Sequence, residues 1–292
     1  MLHYVTILIN IVFGYVRKYY YHFIIVFVKK IRVSKCVEKG VVVSLTSYGR
    51  RLKYCAPYAI ISILRQTVRP EIIILNIDGT KWNKDNLPAE VEFLENKYKV
   101  YINYCDDIRS YTKLLPALQL FPDSDIITVD DDIFYSKNLL SILLAAHKKK
   151  STAVCTIKCQ IPTVSSDGTI SDFNVWKQDR FFCNEKHVCA LGYGGVLYPA
   201  KTFSDEVFNK KVFQSLCPTA DDIWFYIREL CDEKTVYLAD DHEKIILYPL
   251  NVVYEKMHVG DALAHSNVLN DANNTQFRNL LNYYNLNGNL FL

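Results

Sequence analysis

The chain has 292 residues, of which 50% are hydrophobic and 22% are charged, so it is long and apolar enough to bury a full core. Its net charge of +3 resides in the N-terminus, because residues 1–40 carry seven lysines and arginines against Glu38 alone. Residues 41–292 therefore hold 27 basic and 30 acidic side chains. They show no basic stripe interleaved with aromatic residues, which argues against nucleic acid as the partner.

The nine cysteines are an odd number and form no CxxC pair. The two pairs that are close in sequence are Cys155 with Cys159 and Cys183 with Cys189. Neither pair is accompanied by a histidine pattern typical of zinc sites. We therefore predict reduced, mostly buried thiols in a cytoplasmic protein.

Residues 1–40 form a hydrophobic and basic segment. The first 16 residues carry no charge, Arg17 and Lys18 interrupt, and YYYHFIIVFV then precedes Lys29 and Lys30. The uncharged run is shorter than the about 20 residues that span a bilayer, and no signal-peptide cleavage site follows it. Tyrosine-rich apolar segments flanked by lysine are typical of the membrane interface. We predict peripheral association with the inner face of the cell membrane. A helix buried against the domain and a true span remain open.

From residue 41 onward, short β-branched runs alternate with helical patterns. Strands are predicted at 41–47, 72–78, 100–104, 126–129, 152–157, 234–240 and 244–250, and helices at 55–66, 87–98, 111–121, 137–149, 205–216 and 220–230. Strands that alternate with helices predict an α/β fold with a mostly parallel sheet and flanking helices. We place one domain at 41–260, with an irregular second half that shapes the acceptor side, and a polar C-terminal tail at 261–292.

Residues 126–135 read IITVDDDIFY, an apolar strand that ends in three aspartates. Carboxylates at the carboxyl end of a strand are typical of divalent-metal and phosphate sites in α/β proteins. Because side chains alternate along an extended chain, Asp130 and Asp132 are predicted to share one cation while Asp131 points the other way. The alternative is a solvated acidic turn, which the repulsion between three like charges disfavours.

Further along, three other patterns have both a chemical and a structural interpretation. Lys113 opens a predicted helix, where it could meet a phosphate or simply be exposed. GYGGVLYP at 192–199 lets the backbone approach a ligand, or forms a tight turn. Thr219 and Asp222 have the spacing of a capping box at a helix start.

Six segments in this order together resemble a known family. They are VSLTSYGRRL (43–52), SILRQT (62–67), SYTKLLPAL (110–118), ITVDDDIFY (127–135), GYGGVLYP (192–199) and ADDIWF (220–225). The set resembles bacterial nucleotide-sugar glycosyltransferases of the GT-A fold, of the kind found in capsule and lipopolysaccharide gene clusters. The resemblance covers about residues 41–255, and it implies a Rossmann-like GT-A sheet.

The resemblance implies a metal and donor site. Asp130 and Asp132 would hold Mn²⁺ or Mg²⁺, with Asp131 free to bind ribose or sugar hydroxyls. His258 would complete the metal shell, although a surface or core histidine is the alternative. The remaining donor-site residues that it implies are Thr46, Ser47 and Tyr48 at the nucleotide, Asp78 at the base edge, Lys113 at the phosphates, and Gly194 and Gly195 beneath the sugar. Caps, turns and satisfied core groups remain alternatives for these residues.

The resemblance also implies a catalytic pair. In inverting enzymes of this fold, the second acid of a late acidic pair deprotonates the acceptor hydroxyl, which here is Asp222 beside Asp221. In a retaining enzyme the pair would instead bind acceptor or sugar. The predicted function is metal-dependent transfer of a sugar from a nucleotide-sugar donor to a glycan or lipid-linked glycan acceptor in surface polysaccharide biosynthesis.

Three rival functions remain. A DxDxT-type phosphatase is disfavoured because Phe134 stands at the fifth position of that motif. A nucleotidyltransferase is disfavoured because VSLTSYGRR offers one glycine where a glycine-rich basic loop is expected. A catalytically silent glycan-binding or scaffold subunit would keep the fold without turnover.

Overall fold

The computed structural model describes residues 2–165, 169–176, 188–257 and 271–287. Its strands are β1 (Val37–Thr46), β2 (Arg69–Asp78), β3 (Tyr101–Cys105), β4 (Asp125–Thr128), β5 (Ile133–Tyr135), β6 (Val154–Thr156), β7 (Cys159–Gln160), β8 (Cys189–Ala190), β9 (Val196–Tyr198), β10 (Val236–Leu238) and β11 (Leu247–Pro249). Its α-helices are α1 (Leu2–Phe23), α2 (Arg51–Tyr54), α3 (Ala56–Leu64), α4 (Ala89–Tyr98), α5 (Leu115–Leu120), α6 (Leu139–Lys149), α7 (Lys210–Leu216), α8 (Asp221–Cys231), α9 (Val252–Met257) and α10 (Ala272–Tyr283).

Seven strands form the central sheet in the order β10-β6-β9-β4-β1-β2-β3. All neighbouring pairs are parallel except those that β9 makes with β4 and β6. The predicted α/β fold with a mostly parallel sheet and flanking helices is thereby confirmed. The β3-β2-β1-β4 part follows the strand order of doubly wound, Rossmann-like sheets, in which the order of the parallel strands across the sheet reverses between β1 and β4.

Side-chain alternation along the strands divides the interior into two cores. Val41 and Val43 face the first core, which α3, α4 and α6 cover, whereas Val42 faces the second, which α5, α8 and α10 cover. Helices on both faces explain why β1 and β2 read as nearly continuous apolar runs in the sequence.

The structure departs from the predicted elements at several places. The short strands β5, β7 and β8 were not predicted, and the helix predicted at 205–216 is a 3₁₀ turn, Asp205–Phe208, followed by α7. The strand β9 was not predicted, because only three apolar residues follow the glycines. The helix predicted at 111–121 is a 3₁₀ turn, Arg109–Lys113, followed by α5. The predicted polar tail contains α10, which buries Phe277 and Leu280 against the second core.

The N-terminal helix α1 packs on the domain through one side. It lies against β11, β5 and α3, and it continues into a π-helical turn at Ile24–Val28. Tyr21 and Ile25 are buried in the first core, and the Tyr21 ring stacks on Phe134 with 5.5 Å between centroids. Residues 1–40 are therefore partly built into the domain that begins at Val41.

Gly14 allows this close contact. A Cβ atom at Gly14 would lie 2.1 Å from the carbonyl oxygen of Pro249, at the end of β11, so only glycine fits there. Among the described residues, none of the helices combines the length and the apolar character that crossing a bilayer requires.

The eight described cysteines are free thiols, and all but Cys36 are buried or partly buried. The burial of these seven agrees with the predicted mostly buried thiols. Cys183 lies outside the described residues.

Candidate active site

The aspartate triplet lies at the carboxyl ends of β1 and β4. The two strands run parallel, with Ser44 opposite Thr128, and the Val129 N–H still donates to the Ser44 carbonyl at 3.1 Å. Beyond Val129 the chain leaves the ladder and turns at Asp131 and Asp132. Parallel α/β sheets bind ligands at the carboxyl edge where strand order reverses, and the triplet lies at that place.

Lys113 is at the centre of one group of charges. Its Nζ lies 3.1 Å from Asp221 Oδ2, 3.4 Å from Asp130 Oδ1 and 4.0 Å from Asp222 Oδ1. We call these four residues the Lys113 cluster. Lys113 is only 8% exposed, so its interpretation as an exposed lysine at a helix start is wrong. Burial alone would lower the pKa of Lys113, but the three carboxylates raise it well above its ordinary value.

Arg51 is at the centre of a second group. Its Nη2 contacts Asp131 and lies 2.8 Å from Asp132 Oδ2, while Ser47 Oγ donates to Asp131 at 2.5 Å. Asp131 is buried, and both of its oxygens are engaged. The sequence predicted that Asp130 and Asp132 point to one side and Asp131 to the other. In the structure Asp131 and Asp132 instead share Arg51, while Asp130 belongs to the Lys113 cluster. Strand periodicity does not apply once the chain has turned.

Asp222 is held by the backbone of the glycine-rich loop. The Gly192 N–H donates to both carboxylate oxygens, at 3.1 and 3.2 Å. The capping-box interpretation of Asp222 is wrong, because the N-cap of α8 is Ala220 and makes no side-chain cap bond. The Thr219 side chain instead accepts a hydrogen bond from Gln276 Nε2 at 2.9 Å.

Gly192 was not singled out by the sequence, yet it brings these groups together. A Cβ atom there would lie 2.4 Å from Lys113 Nζ and 2.8 Å from Asp222 Oδ1. The glycine therefore leaves room for the cation and the carboxylate to meet over the backbone. The repeated glycines of GYGGVLYP were the available signal, but they did not distinguish this position.

Tyr135 links the aspartate turn to the glycine-rich loop. Its buried hydroxyl accepts from the Asp130 N–H at 2.8 Å and donates to the Tyr193 carbonyl at 3.0 Å. One phenol thus fixes the Asp130 backbone relative to the loop that holds Asp222.

The charges of the two groups do not cancel. Five carboxylates, Asp130, Asp131, Asp132, Asp221 and Asp222, face the two cations Lys113 and Arg51. Burial, followed by the neighbouring carboxylates, raises the pKa of Asp132 and of Asp222 to about 7 in each case, against the lowering effect of the adjacent cation. The site therefore has an excess of negative charge that a bound cation would stabilise.

The predicted nucleotide-binding residues line the same edge of the sheet. Thr46 Oγ1 donates to the Asn76 carbonyl at 3.0 Å, and Tyr48 is exposed beside Arg51, whose guanidinium carbon lies 5.2 Å from the ring centroid. These two residues stand at the end of β1, next to the aspartate turn.

Asp78 ends β2 and closes a local turn. It accepts from the Thr80 hydroxyl at 2.6 Å and from the Thr80 N–H at 2.9 Å, and it pairs with Lys81 at 2.9 Å. The hydrogen bonds from Thr80, together with Lys81, lower the pKa of Asp78 to about 2. This geometry matches the turn that the sequence left open as its alternative role.

Gly194 and Gly195 have structural reasons to be glycine. A Cβ at Gly194 would lie 2.7 Å from the Lys158 side chain, and Gly195 adopts a φ of +100° against Leu139. Both glycines are buried, whereas the neighbouring Tyr193 is exposed. The tight-turn alternative accounts for these two positions.

Asp130 and Asp132 are the two carboxylates that the sequence predicts to hold a divalent metal ion. Asp130 and Asp132 keep 27% and 21% of their side chains exposed, and carboxylate oxygens are the ligands that Mg²⁺ and Mn²⁺ prefer. Within the described residues, no three His, Cys, Asp or Glu side chains are arranged to hold a metal ion together. Two carboxylates with substrate phosphates and water are a common set for Mg²⁺. His258 lies outside the described residues.

Comparisons with known proteins do not assign the chain to a family. No family model matches it, and neither does any curated protein sequence. Among solved structures it is similar to a UTP-bound UGPase from Acinetobacter baumannii, at 13% identity and a TM-score of 0.40, over 77% of this chain and 93% of that one. It is also similar to CMP:2-keto-3-deoxy-manno-octonic acid synthetase complexed with CTP, at 8% identity and a TM-score of 0.40, over 69% of this chain and 88% of that one. Likenesses this distant carry no argument about activity.

Proposed function

We propose that the protein is a metal-dependent glycosyltransferase that moves a sugar from a nucleotide-sugar donor to a glycan or lipid-linked glycan acceptor. The observation that carries this proposal is the position of Asp222. It is a partly exposed carboxylate held by a backbone N–H at the carboxyl edge of the sheet, and through Lys113 it belongs to the same cluster as Asp130. This position supports a role for Asp222 as a proton acceptor next to the proposed metal and phosphate site.

Asp222 acts as the general base in this proposal. The acceptor oxygen forms a bond to the anomeric carbon while the bond from that carbon to the diphosphate oxygen breaks. The acceptor proton passes to Asp222, and the bonding electron pair leaves with the diphosphate. A carboxylate with a pKa of about 7 is matched to this task at neutral pH.

The surrounding residues bind and orient the donor. Asp130 and Asp132 would hold Mn²⁺ or Mg²⁺, which when bound neutralises negative charge on the diphosphate. Lys113 offsets the repulsion between the carboxylates of its cluster, and Asp221 pairs with it at 3.1 Å. Arg51 lies beside Asp132 and the exposed Tyr48, where its planar guanidinium can also meet a phosphate.

The test is a donor screen followed by product identification. UDP-, GDP-, CMP- and dTDP-sugars would be added with Mn²⁺, and a bound donor should raise the melting temperature by mass action. The donor that binds would then be incubated with oligosaccharide acceptors, with release of its nucleotide as the expected product.

The products separate the proposal from its rivals. Pyrophosphate release from a nucleoside triphosphate and a sugar phosphate, without glycosyl transfer, would replace the proposal by nucleotidyl transfer. Donor and acceptor binding without turnover, with or without Mn²⁺, would indicate a silent glycan-binding subunit. Phosphate-ester hydrolysis is disfavoured, since Phe134 is buried under Tyr21 and offers no hydroxyl.

A further inference from the structure

The solvent side of α1 carries a row of apolar side chains between Leu8 and Phe23. Leu8, Val12, Val16, Tyr19 and Phe23 recur at intervals of three and four residues, and each is more than half exposed. We call these five residues the outer face. More than half of the exposed large hydrophobic side chains in the described part of the chain lie between Tyr4 and Val28. An apolar patch of this extent on a water-soluble surface indicates a binding site.

The charges of α1 are on the side that faces the protein. Lys18 Nζ donates to the Leu250 carbonyl at 3.3 Å, and the Arg17 guanidinium carbon lies 3.8 Å from the centroid of the Tyr248 ring. Surface helices normally bury their apolar stripe and expose their charges. Here the arrangement is reversed, so the outer face carries no lysine, arginine, aspartate or glutamate.

A group of cations follows immediately after the helix. All of its members are exposed, and Glu38 is the one acidic residue within residues 1–40. The members, which we call the basic arm, are Lys29, Lys30, Arg32, Lys35 and Lys39. An uncharged face with tyrosines, continued by a basic arm, is the chemistry of a helix that lies in the headgroup layer of an anionic bilayer.

We propose that the outer face of α1 lies in the headgroup region of an anionic lipid surface, with the basic arm on the lipid phosphates. A second copy of the chain is the weaker candidate for the outer face, because its own basic arm would repel the first one and residues 1–40 offer only Glu38 as an acidic partner. Charge complementarity therefore favours lipid. The proposal does not depend on the reaction that the active site performs.

Point substitutions test the proposal better than a deletion does. Removing residues 2–35 would also remove Tyr21, Ile25 and Ile31 from the first core, and the protein would be expected to unfold. The outer face itself can be changed without loss of core contacts, because its side chains are exposed.

The experiment is co-sedimentation of the full chain with vesicles of phosphatidylcholine, with and without one-third phosphatidylglycerol. The wild type should bind the anionic vesicles at least tenfold more tightly than the neutral ones. The double variant Leu8→Glu, Val16→Glu should lose at least 90% of this binding at an unchanged melting temperature. Leu120→Glu is the control for the type of substitution, since it places one glutamate at an exposed leucine of α5 outside the outer face, and it should bind as the wild type does.

The basic arm has its own variants. Lys30→Gln and Lys35→Gln should each weaken binding to anionic vesicles about fivefold and reduce its salt dependence, with little effect on neutral vesicles. The proposal would be overturned if the wild type bound anionic and neutral vesicles equally. It would also be overturned if the Leu8→Glu, Val16→Glu variant bound anionic vesicles as tightly as the wild type. A dimer that the Leu8→Glu, Val16→Glu variant converts to a monomer, without vesicle binding by the wild type, would assign the outer face to a second copy instead.

Discussion

Asp222→Asn tests whether this side chain is the general base proposed above or only a structural group. The amide can still accept from the Gly192 N–H, which now lies 3.1 and 3.2 Å from the two carboxylate oxygens, but it cannot take a proton at neutral pH. No helix cap is lost, because Ala220 is the N-cap of α8. The variant also removes one negative charge from a cluster in which carboxylates outnumber cations. We therefore expect the free energy of unfolding to change by less than about 1 kcal/mol.

Turnover should fall much further than stability. Removal of a general base costs on the order of 100-fold or more in kcat, and donor affinity should be nearly unchanged because the metal and phosphate groups remain. The assay is nucleotide release at saturating donor and acceptor, with donor affinity from thermal shift. Asp123→Asn is the control, since it removes a carboxylate that pairs with Lys201 at an exposed site outside the cluster. The reasoning would be refuted by near-normal turnover together with a decrease of about 1.5 to 3 kcal/mol in the free energy of unfolding, which is the scale of a hydrogen bond to a charged group. Asp222 would then only stabilise the glycine-rich loop.

Four further changes test the rest of the site. Asp132→Ala should abolish Mn²⁺-dependent donor binding, measured by thermal shift, and should leave the melting temperature unchanged or higher because it relieves repulsion between carboxylates. Lys113→Met should lower the free energy of unfolding in urea by about 3–5 kcal/mol, since it leaves buried carboxylates without their cation; a smaller loss would mean that solvent already screens the cluster. Gly192→Ala should reduce kcat at least tenfold with a small change in melting temperature, because its Cβ would separate the ammonium and the carboxylate that now meet there. The pKa of Asp222 is raised from 3.8 to about 7, so the folded state binds more protons than the unfolded state between these pH values. The free energy of unfolding of the wild type should therefore fall as the pH rises from about 4 to 7, while kcat increases. Both dependences on pH should be weaker in Asp222→Asn.

The sheet was predictable because its signal is local. Strands β1 and β2 are long β-branched runs between clear helical patterns. A chain in which strands alternate with helices can form only a few sheet topologies. The same reasoning places Asp130, Asp131 and Asp132 at the carboxyl edge, which the structure confirms. It does not reach β9, because three apolar residues after a glycine pair are too few to indicate a strand.

The charge pairing of the site was not predictable, because it depends on contacts between distant parts of the chain. The sequence positions of Arg51, in the loop after β1, and of Lys113 do not reveal which aspartates these cations will meet. Thr219 fits the capping-box pattern, but its hydroxyl is engaged by Gln276 from a segment 57 residues further along the chain. A local pattern could not anticipate that competition.

The stacking of Tyr21 on Phe134 joins two parts of the molecule that the sequence keeps far apart. Phe134 lies two residues after Asp132, within the short strand that also pairs with β11, and α1 lies against both strands. Helix α1 and the turn at Asp131 and Asp132 thus belong to one packed body instead of being joined by a flexible linker. If the proposed lipid surface holds α1, it also sets the height and tilt of the carboxyl edge of the sheet above the headgroups. A lipid-linked acceptor would meet that edge by lateral diffusion in two dimensions, so the length of its glycan would determine which sugar of the chain comes within reach of Asp222.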